Sequence, residues 1–390
     1  MTGLLVVLPC LIALVPGLSG PAAGQLRGDT WVFVGQWGYV DKHGKLVIKP
    51  QFDIARGFSE GLAAVRFGIE KDYRWGYIDK AGHMAIEPRF DAASDFSQGL
   101  AAVLIPDGQS RRWGYIDKTG KVAIRPIFEY ADDFSEGLAA VSLTSGREQN
   151  WGYLDKTGKL ALKASYRSAG PFKSGLAAVE PLDEPDNLSG YIDKNGKLVI
   201  PPQFRIARNF SDGLAAVQMR DAGPHCWGHI HTDGKLAVLP RYDSVGDFAD
   251  GLAAVLIIED EQPRWGYVDK LDRLAVKPQF TQLKPFSQGL AAIAVIVRNR
   301  AWVIPAQGGY AENMWNWGYI NKEGKTVISP QFYKCGNFSE GLACVRVGEF
   351  PSGQWGYADK SGKLAIKAQF GLANPFSEGL AAVAIGQYQK

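Results

Sequence analysis

From Trp37 onward, hydrophobic and polar positions alternate in short stretches. In the stretch WGYIDKTGKVAI, which begins at Trp113, side chains alternate with a period of two over residues 113–117 and again over residues 122–125. This period predicts two β-strands. Between them lies Lys118-Thr119-Gly120, and a three-residue loop ending in Gly is a common hairpin connection. The sequence LAAVSL predicts a third strand over residues 138–143. No part of the repeats has a convincing 3.6-residue apolar period, so the chain is predicted to be all-β.

The same pattern recurs nine times. Its first residue is Trp in eight units and Ser in the fifth, at Trp37, Trp75, Trp113, Trp151, Ser189, Trp227, Trp265, Trp317 and Trp355. The spacing is 38 residues everywhere except between Trp265 and Trp317, where it is 52. The extra 14 residues lie within the segment 295–316, which we call the insertion. Each unit also carries an aromatic residue 15 positions after its first residue and a Phe 21 positions after it.

A single unit is too small to bury its aromatic rings, so neighbouring units are expected to stack. The repeated Trp is then a wedge shared between units, and the repeated Asp, such as Asp117, binds the backbone of its turn. We therefore predict a tandem array of nine three-stranded β-meander repeats of about 38 residues, open, twisted and solenoid-like. The alternative is a closed, propeller-like ring, because the strand order is also that of a propeller blade. Propellers typically have four to eight blades, usually of four strands.

These columns resemble the WG-repeat family, also called KWG repeats. The resemblance extends from residue 37 to about residue 385. It implies a bacterial β-rich repeat protein that is often exported, with variable copy number, no general catalytic residues and no agreed ligand. The chain departs from the pattern at Ser189, His229, His231 and Asp272.

The N-terminus has a different composition. Residues 4–18, LLVVLPCLIALVPGL, are apolar and are followed by Ala22-Ala23-Gly24, which is typical of a signal peptide with a cleavage site. We expect residues 1–24 to be a signal peptide, 25–36 a lead-in and 37–390 the repeats. Export is the expectation, with no membrane span in the mature chain, since the apolar run is too short. An uncleaved N-terminal anchor is the alternative.

Three cysteines follow the signal segment. Cys335 and Cys344 belong to one unit and could form a disulfide in an oxidising compartment. Equally, Cys344 replaces an Ala at a small buried position where a reduced thiol packs well. Cys226 is then left over.

Composition and motifs argue against several functions. The net charge is +3, with Lys and Arg spread through all units, so nucleic-acid binding is not expected. No nucleophile elbow, phosphate loop, Cys-x-x-Cys pair or metalloprotease helix is present. The aspartates recur at turns, one per unit, as in a scaffold. We expect no enzyme activity and no cofactor.

The histidine-rich stretch HCWGHIH places His225, His229 and His231 in unit six. On a regular strand they share a face, yet His225 and His231 would be about 20 Å apart. One metal ion could therefore take just His229 and His231. The alternative, which we favour, is that these histidines stand where other units have Tyr and Asp, so no metal site is predicted.

The insertion carries three aromatic residues, Trp302, Tyr310 and Trp315. Aromatic side chains on a long loop can stack on sugar rings or anchor a protein partner. The alternative is an extra hairpin that packs them inward. These three residues are the predicted binding residues.

The segments between the third strand and the next Trp-Gly differ in every unit, whereas the first turns barely differ. Solenoids commonly carry such variation on their binding face. We predict an exported, monomeric, non-catalytic scaffold that binds a protein or glycan through these variable loops. The alternative is a hydrolase-type enzyme whose site is assembled from the same loops.

Overall fold

The computed structural model describes residues 32–68, 72–107, 110–144, 150–220, 226–298 and 314–389. The signal and lead-in segments up to residue 31, and most of the insertion, lie outside these residues. In the described part of the chain all regular structure is β-strand, which confirms the all-β prediction. The strands form antiparallel sheets in which four kinds of strand follow one another in a fixed order.

The first strand of a sheet has two residues everywhere except in β29, which has six: β3 (Ile54–Ala55), β7 (Ala92–Ala93), β11 (Tyr130–Ala131), β21 (Ser244–Val245), β25 (Gln282–Leu283), β29 (Lys334–Ser339) and β33 (Leu372–Ala373). The second, named the Leu-Ala strand after its sequence, is β4 (Ala63–Phe67), β8 (Leu100–Asp107), β12 (Leu138–Ser142), β15 (Ala177–Pro181), β18 (Leu214–Met219), β22 (Leu252–Glu259), β26 (Ala291–Arg298), β30 (Leu342–Val347) and β34 (Leu380–Gln389).

The third, the Trp-Gly strand, is β1 (Val32–Asp41), β5 (Arg74–Ile78), β9 (Ser110–Asp117), β13 (Trp151–Asp155), β16 (Ser189–Ile192), β19 (Trp227–Ile230), β23 (Gln262–Asp269), β27 (Met314–Ile320) and β31 (Gln354–Ala358). The fourth is β2 (Leu46–Phe52), β6 (Met84–Phe90), β10 (Val122–Phe128), β14 (Leu160–Ala169), β17 (Leu198–Ser211), β20 (Leu236–Tyr242), β24 (Leu274–Phe280), β28 (Thr326–Phe332) and β32 (Leu364–Phe370). Strands β14 and β17 continue unbroken into the next sheet, so three sheets merge into a ten-stranded one.

Each sheet combines two successive units. The Leu-Ala strand of one unit pairs with the Trp-Gly strand of the next, as in Ala63 opposite Ile78. The prediction of three strands within one unit was therefore wrong in its boundaries and in its count. The residues just after the fourth strand keep pairing, now with the next sheet, and supply the additional short strand, as Ile54 does opposite Arg66.

The two ends of the described chain pair with each other. Residues Val32–Asp41 of β1 lie antiparallel to Leu380–Gln389 of β34, and one four-stranded sheet has the order β2-β1-β34-β33. The prediction of an open array was wrong, and the closed ring is found instead. The reason lies in the offset between units: among the described residues, no Leu-Ala strand precedes unit one and no Trp-Gly strand follows unit nine. Alone, β1 and β34 would each leave a sheet edge without hydrogen-bond partners. By pairing with each other they satisfy both edges.

The core lies between neighbouring sheets. In one cluster Tyr77, of the sheet β3–β6, packs with Phe96 and Val103, of the sheet β7–β10. Trp37, Trp75 and Trp227 are each 8% exposed, and the other Trp residues of the described Trp-Gly pairs are half-buried. Arg56, from the preceding unit, lies over the ring of Trp75 at 5.3 Å. The repeated Trp is thus a structural residue between units, as predicted.

The Gly that follows the Trp is required by a close approach of backbones. Trp75 pairs with Phe90 but Tyr77 pairs with Ile86, so the fourth strand bulges opposite Gly76. A Cβ atom on Gly76 would lie 2.6 Å from the carbonyl oxygen of Ile86. Equivalent contacts of 2.4–2.7 Å occur at the Gly of all nine units. Any side chain would separate the two strands, which explains the repeated Trp-Gly pair.

Candidate binding surface

The strands have two distinct ends. Each Leu-Ala strand begins at a turn of the Ser-Glu-Gly type, such as residues 59–61, and all of them except β34 lead into a variable hairpin. Leu100 pairs with Asp117, so the Asp-Lys turn after the Trp-Gly strand lies beside the Ser-Glu-Gly turn. We call this side of the sheets the turn end, and the side with the variable hairpins the hairpin end.

Backbone conformation explains the residues of both turns. Gly120 has φ 82° and its N–H donates to the carbonyl of Asp117 over 2.9 Å, while Asp117 Oδ1 accepts from the N–H groups of Thr119 and Lys121. This is the hairpin predicted from the sequence. In the Ser-Glu-Gly turn both Glu60 and Gly61 have positive φ, as a two-residue type I′ hairpin requires.

Successive Ser-Glu-Gly turns bind one another around the ring. The Ser hydroxyl donates to the Phe carbonyl of the next unit in seven pairs: Ser59–Phe96, Ser97–Phe134, Ser135–Phe172, Ser211–Phe248, Ser287–Phe338, Ser339–Phe376 and Ser377–Phe58. The side chain after the Ser accepts from the Gly N–H of the next turn, as Glu60 Oε2 does from Gly99 over 3.0 Å. The pair Ser377–Phe58 joins unit nine to unit one.

Lysines of the Asp-Lys turns complete this network. Lys118 lies 3.1 Å from Glu60, which belongs to the second unit before it. Two further ion pairs, Lys194–Glu136 and Lys270–Asp212, also join residues that are two units apart. Donation from Lys270 holds the pKa of Asp212 below its ordinary value. In unit four, Ser174 stands at the position of Glu60, and two units later Thr232 stands at the position of Lys118. Both partners of the ion pair are therefore replaced together. These turn-end polar groups therefore hold the ring together.

The hairpin end has contacts that are particular to each unit. The buried carboxylate of Asp91 lies 3.4 Å from Arg74 in one sheet and 2.9 Å from Arg111 in the next. Arg112 lies 2.8 Å from Glu129. The hairpins also differ in length, from the tight turn at 260–261 to the longer loops at 182–188 and 348–353. This end gives the nine units their individuality.

Loop 348–353 is held in shape by a buried cation. Arg346 is 2% exposed and lies over the rings of Tyr333 and Phe350 at 5.4 Å each. Its Nε donates to the carbonyl of Gly353 over 3.1 Å and its Nη2 to that of Pro351 over 3.2 Å. Phe350 also packs edge-on against Tyr388 of the closing sheet, 4.9 Å between centroids. This hairpin is therefore pre-organised.

Apolar side chains are exposed at the hairpin end. They are Leu143, Leu182, Ile258, Val295, Val347, Phe350 and Ile385. Of the predicted binding residues, Trp302 and Tyr310 lie outside the described residues. Trp315 is half-buried and pairs with Ile296, where β26 and β27 extend their hairpin toward the insertion.

The structure separates the roles of the histidines. His229 is fully buried and its Nε2 lies 2.9 Å from the carbonyl oxygen of Gly246. In the other eight units a Tyr hydroxyl donates to the equivalent carbonyl over 2.6–2.8 Å. His231 is exposed in the Asp position of its turn, and His225 lies outside the described residues. No group of three potential metal ligands is found in the part of the chain that the structure describes.

Burial raises the pKa of the Cys335 thiol to about 12 and that of Cys344 to about 11. Both are free thiols, in different core clusters. Packing of reduced cysteines, one of the two possibilities raised by the sequence, is what the structure has. Cys226 is half-buried.

An open depression of about 490 Å³ lies at the turn end beside Asp132, Asp133 and Lys173. Burial raises the pKa of both aspartates. The hydroxyls of Ser97 and Ser135, which also line the depression, already donate to backbone carbonyls. No sequence pattern indicates this feature, since its residues come from three units.

The architecture is that of a closed ring of small antiparallel sheets, and the sequence columns match one known family. The model of the WG containing repeat matches nine times, at residues 37–68, 75–106, 113–144, 151–180, 190–221, 227–257, 265–295, 317–349 and 355–388. The chain therefore belongs to the WG-repeat family. A search of curated protein sequences found no match.

Several solved structures are similar. A crystal structure of the eukaryotic initiation factor has a TM-score of 0.53 and 11% identity, covering 85% of this chain and 94% of that one. Prolyl oligopeptidase B from Galerina marginata has a TM-score of 0.41 and 10% identity, covering 77% and 51%. An uncharacterized protein from Listeria monocytogenes has a TM-score of 0.38 and 12% identity, covering 80% and 93%. The first of these supports the fold alone.

In the described residues no helix is long and apolar enough to cross a membrane.

Proposed function

We propose that this protein is an exported, monomeric, non-catalytic scaffold whose hairpin end binds a protein or glycan partner. The observation that carries the proposal is the contrast between the two ends of the sheets. At the turn end, repeated polar side chains are engaged with neighbouring units. At the hairpin end, residues and loop lengths differ from unit to unit, and several exposed apolar side chains lie there, as others do along the fourth strands.

A ring of rigid sheets suits recognition by loops. Binding residues commonly stand on loops that a rigid scaffold positions. Loop 348–353 supports this proposal, because Arg346 fixes its shape and a pre-ordered loop loses less entropy on binding. The insertion, which carries Trp302, Tyr310 and Trp315, lengthens the segment that joins β26 and β27, and aromatic residues often anchor a partner.

The proposal that the chain is not an enzyme rests on its serines and aspartates. In the depression at the turn end, the hydroxyls of Ser97 and Ser135 donate hydrogen bonds to backbone carbonyls of the next unit. The turn aspartates, such as Asp117, accept bonds from their own turns. Groups committed in this way are poor candidates for a nucleophile or a general base.

The test begins with the chain from residue 25, used in a glycan array and in a pull-down from the native host. The partner so found is then measured against two matched variants. Leu182→Glu with Ile258→Glu changes exposed apolar residues at the hairpin end. Leu239→Glu with Leu271→Glu changes apolar residues away from it that are even more exposed.

Loss of binding in the first variant alone supports the proposal. Unchanged affinity in the first variant, or loss in the second alone, would move the site elsewhere. Shortening the insertion by 14 residues restores the common period and should leave the circular dichroism unchanged while weakening binding. N-terminal sequencing of protein recovered outside the cytoplasm tests export: a start near residue 25 is expected, and a start at Met1 contradicts cleavage.

A further inference from the structure

One of the nine bonds between neighbouring sheets is made by a titratable imidazole. In eight units the Tyr of the Trp-Gly strand donates to a carbonyl in the next sheet, as Tyr191 does to Arg208 over 2.8 Å. In unit six the donor is His229, in β19, and the acceptor is Gly246, just after β21. We propose that this bond makes the joint between the sheets β17–β20 and β21–β24 an acid-sensitive joint, which opens locally when His229 takes up a proton.

The hydrogen bond determines which nitrogen carries the proton in the closed ring. A backbone carbonyl can only accept, so Nε2 must donate and Nδ1 is the bare nitrogen. Nδ1 is buried and has no hydrogen-bond partner. Protonation would place an N–H and a positive charge at this position, and a buried donor without a partner is costly. Water supplies the missing partner when the joint opens.

The surroundings add to this cost. His229 packs edge-on against Phe248 at 4.7 Å between centroids, which offers no acceptor. The charged groups that act on the imidazole are Arg208, which disfavours its protonation, and Asp272, which favours it. Arg208 is held over the ring of Trp227 and donates to the carbonyl of Val245, in the same joint. Burial lowers the pKa of His229 to about 4.

The sheet β21–β24 is also less firmly held on its other side. Ala249 occupies the position of the Ser whose hydroxyl joins successive Ser-Glu-Gly turns in seven units, so the bond to Phe286 is missing. The chain between β20 and β21 breaks its strand at Asp243, unlike the continuous β14 and β17. The eight tyrosines lose no bond in acid, because a neutral phenol stays neutral as pH falls. Of the nine inter-sheet bonds of this kind, acid therefore acts on the donor of this one alone.

Hydrogen–deuterium exchange of the full chain at pH 7.5 and pH 5.0, corrected for the intrinsic rate at each pH, tests the proposal. The matched control is His229→Tyr, which restores the residue of the other units. In the open joint the imidazole would titrate near 6.5, so the opening equilibrium should rise about 30-fold at pH 5.0. Peptides of β21 and β22 should show this increase in the natural chain and not in His229→Tyr.

A second variant guards against an unstable control. Tyr191→His transfers the imidazole to the preceding joint and should create acid-dependent exchange there, between the sheets β14–β17 and β17–β20. An acid-dependent increase in β21 and β22 that is equal in the natural chain and in His229→Tyr would overturn the proposal. So would exchange at those strands that is the same at both pH values.

Discussion

Gly61 and Glu378 stand 317 residues apart in the chain, and the N–H of Gly61 donates to Oε2 of Glu378 over 3.0 Å. The same bond joins successive units elsewhere, as from Gly99 to Glu60. The junction between unit nine and unit one is therefore equivalent to an internal junction. This equivalence lets the effect of a substitution in one unit be compared with its counterpart in another.

The inter-sheet tyrosine bond should contribute measurably to stability. Tyr115→Phe removes the bond from its hydroxyl to the carbonyl of Asp132, 2.7 Å long. The expected loss is about 1 kcal/mol in the free energy of unfolding, as for a typical intramolecular hydrogen bond. Urea denaturation checks this value. Tyr130→Phe, at an exposed tyrosine, is the control and should change little; equal effects in both would argue against the bond.

The repeated Trp residues should contribute unequally to the free energy of unfolding. Trp75→Ala, at 8% exposure and beneath Arg56, should cost about 3–5 kcal/mol, as truncation of buried aromatic residues does. Trp151→Ala should cost less, because Trp151 is half-buried and stacks on exposed Tyr130. Thermal melts of the two variants give the order. A larger loss for Trp151 would contradict the burial described here.

The Gly of the Trp-Gly pair should tolerate no side chain. Gly76→Ala places a Cβ atom against the backbone of Ile86 and should cost about 3 kcal/mol through forced strand separation. Gly137→Ala is a useful comparison, since its Cβ meets open space but its φ of 93° is unfavourable. That variant should lose about 1–2 kcal/mol. Equal or reversed losses on denaturation would show that close packing is not the reason for the pair.

Stability should depend on pH through His229. Its folded pKa, about 4, lies below the ordinary value of 6.5, so the unfolded chain binds the proton first as pH falls. The stabilisation is complete above pH 6.5 and is lost between pH 6.5 and pH 4, by about 3 kcal/mol in all. The quantity to measure is the difference in free energy of unfolding between the natural chain and His229→Tyr. A difference that stays constant from pH 7.5 to pH 4 would refute the prediction.

The sequence predicted the elements better than their assembly. Alternation around Trp113 and the Gly at 120 are local signals, and the strands and the turn follow from them. Which strands pair is not local: Leu100 pairs with Asp117, in the next unit. Once that offset is known, the half-sheets at the two ends require each other, and the ring follows. The number of repeats, considered alone, favoured an open array.

The site-level predictions depended on how each residue was compared. Spacing along one strand led us to consider a metal site at His229 and His231. Comparison with the Tyr at the position of His229 in other units explains the hydrogen bond that His229 makes. Asp272 in place of the turn Gly has a partner that no local pattern indicates. Both its oxygens accept from Arg241, 31 residues earlier, at 2.7 Å each. A contact between residues this far apart in the chain can be recognised only from the structure.

Closure of the ring is tested most directly by joining its two end strands. Gln36 and Ile385 are directly opposed in β1 and β34. Cysteines at both positions should form an intramolecular disulfide on mild oxidation, detected by peptide mapping without reduction, because paired strands bring Cα atoms within bonding range. The control pairs Gln36→Cys with Val347→Cys, which holds the equivalent position one unit earlier and is opposed to Gln354. A closed ring predicts a disulfide in the monomer from the first pair and none from the second; no disulfide in the first pair, with the chain folded, would contradict closure.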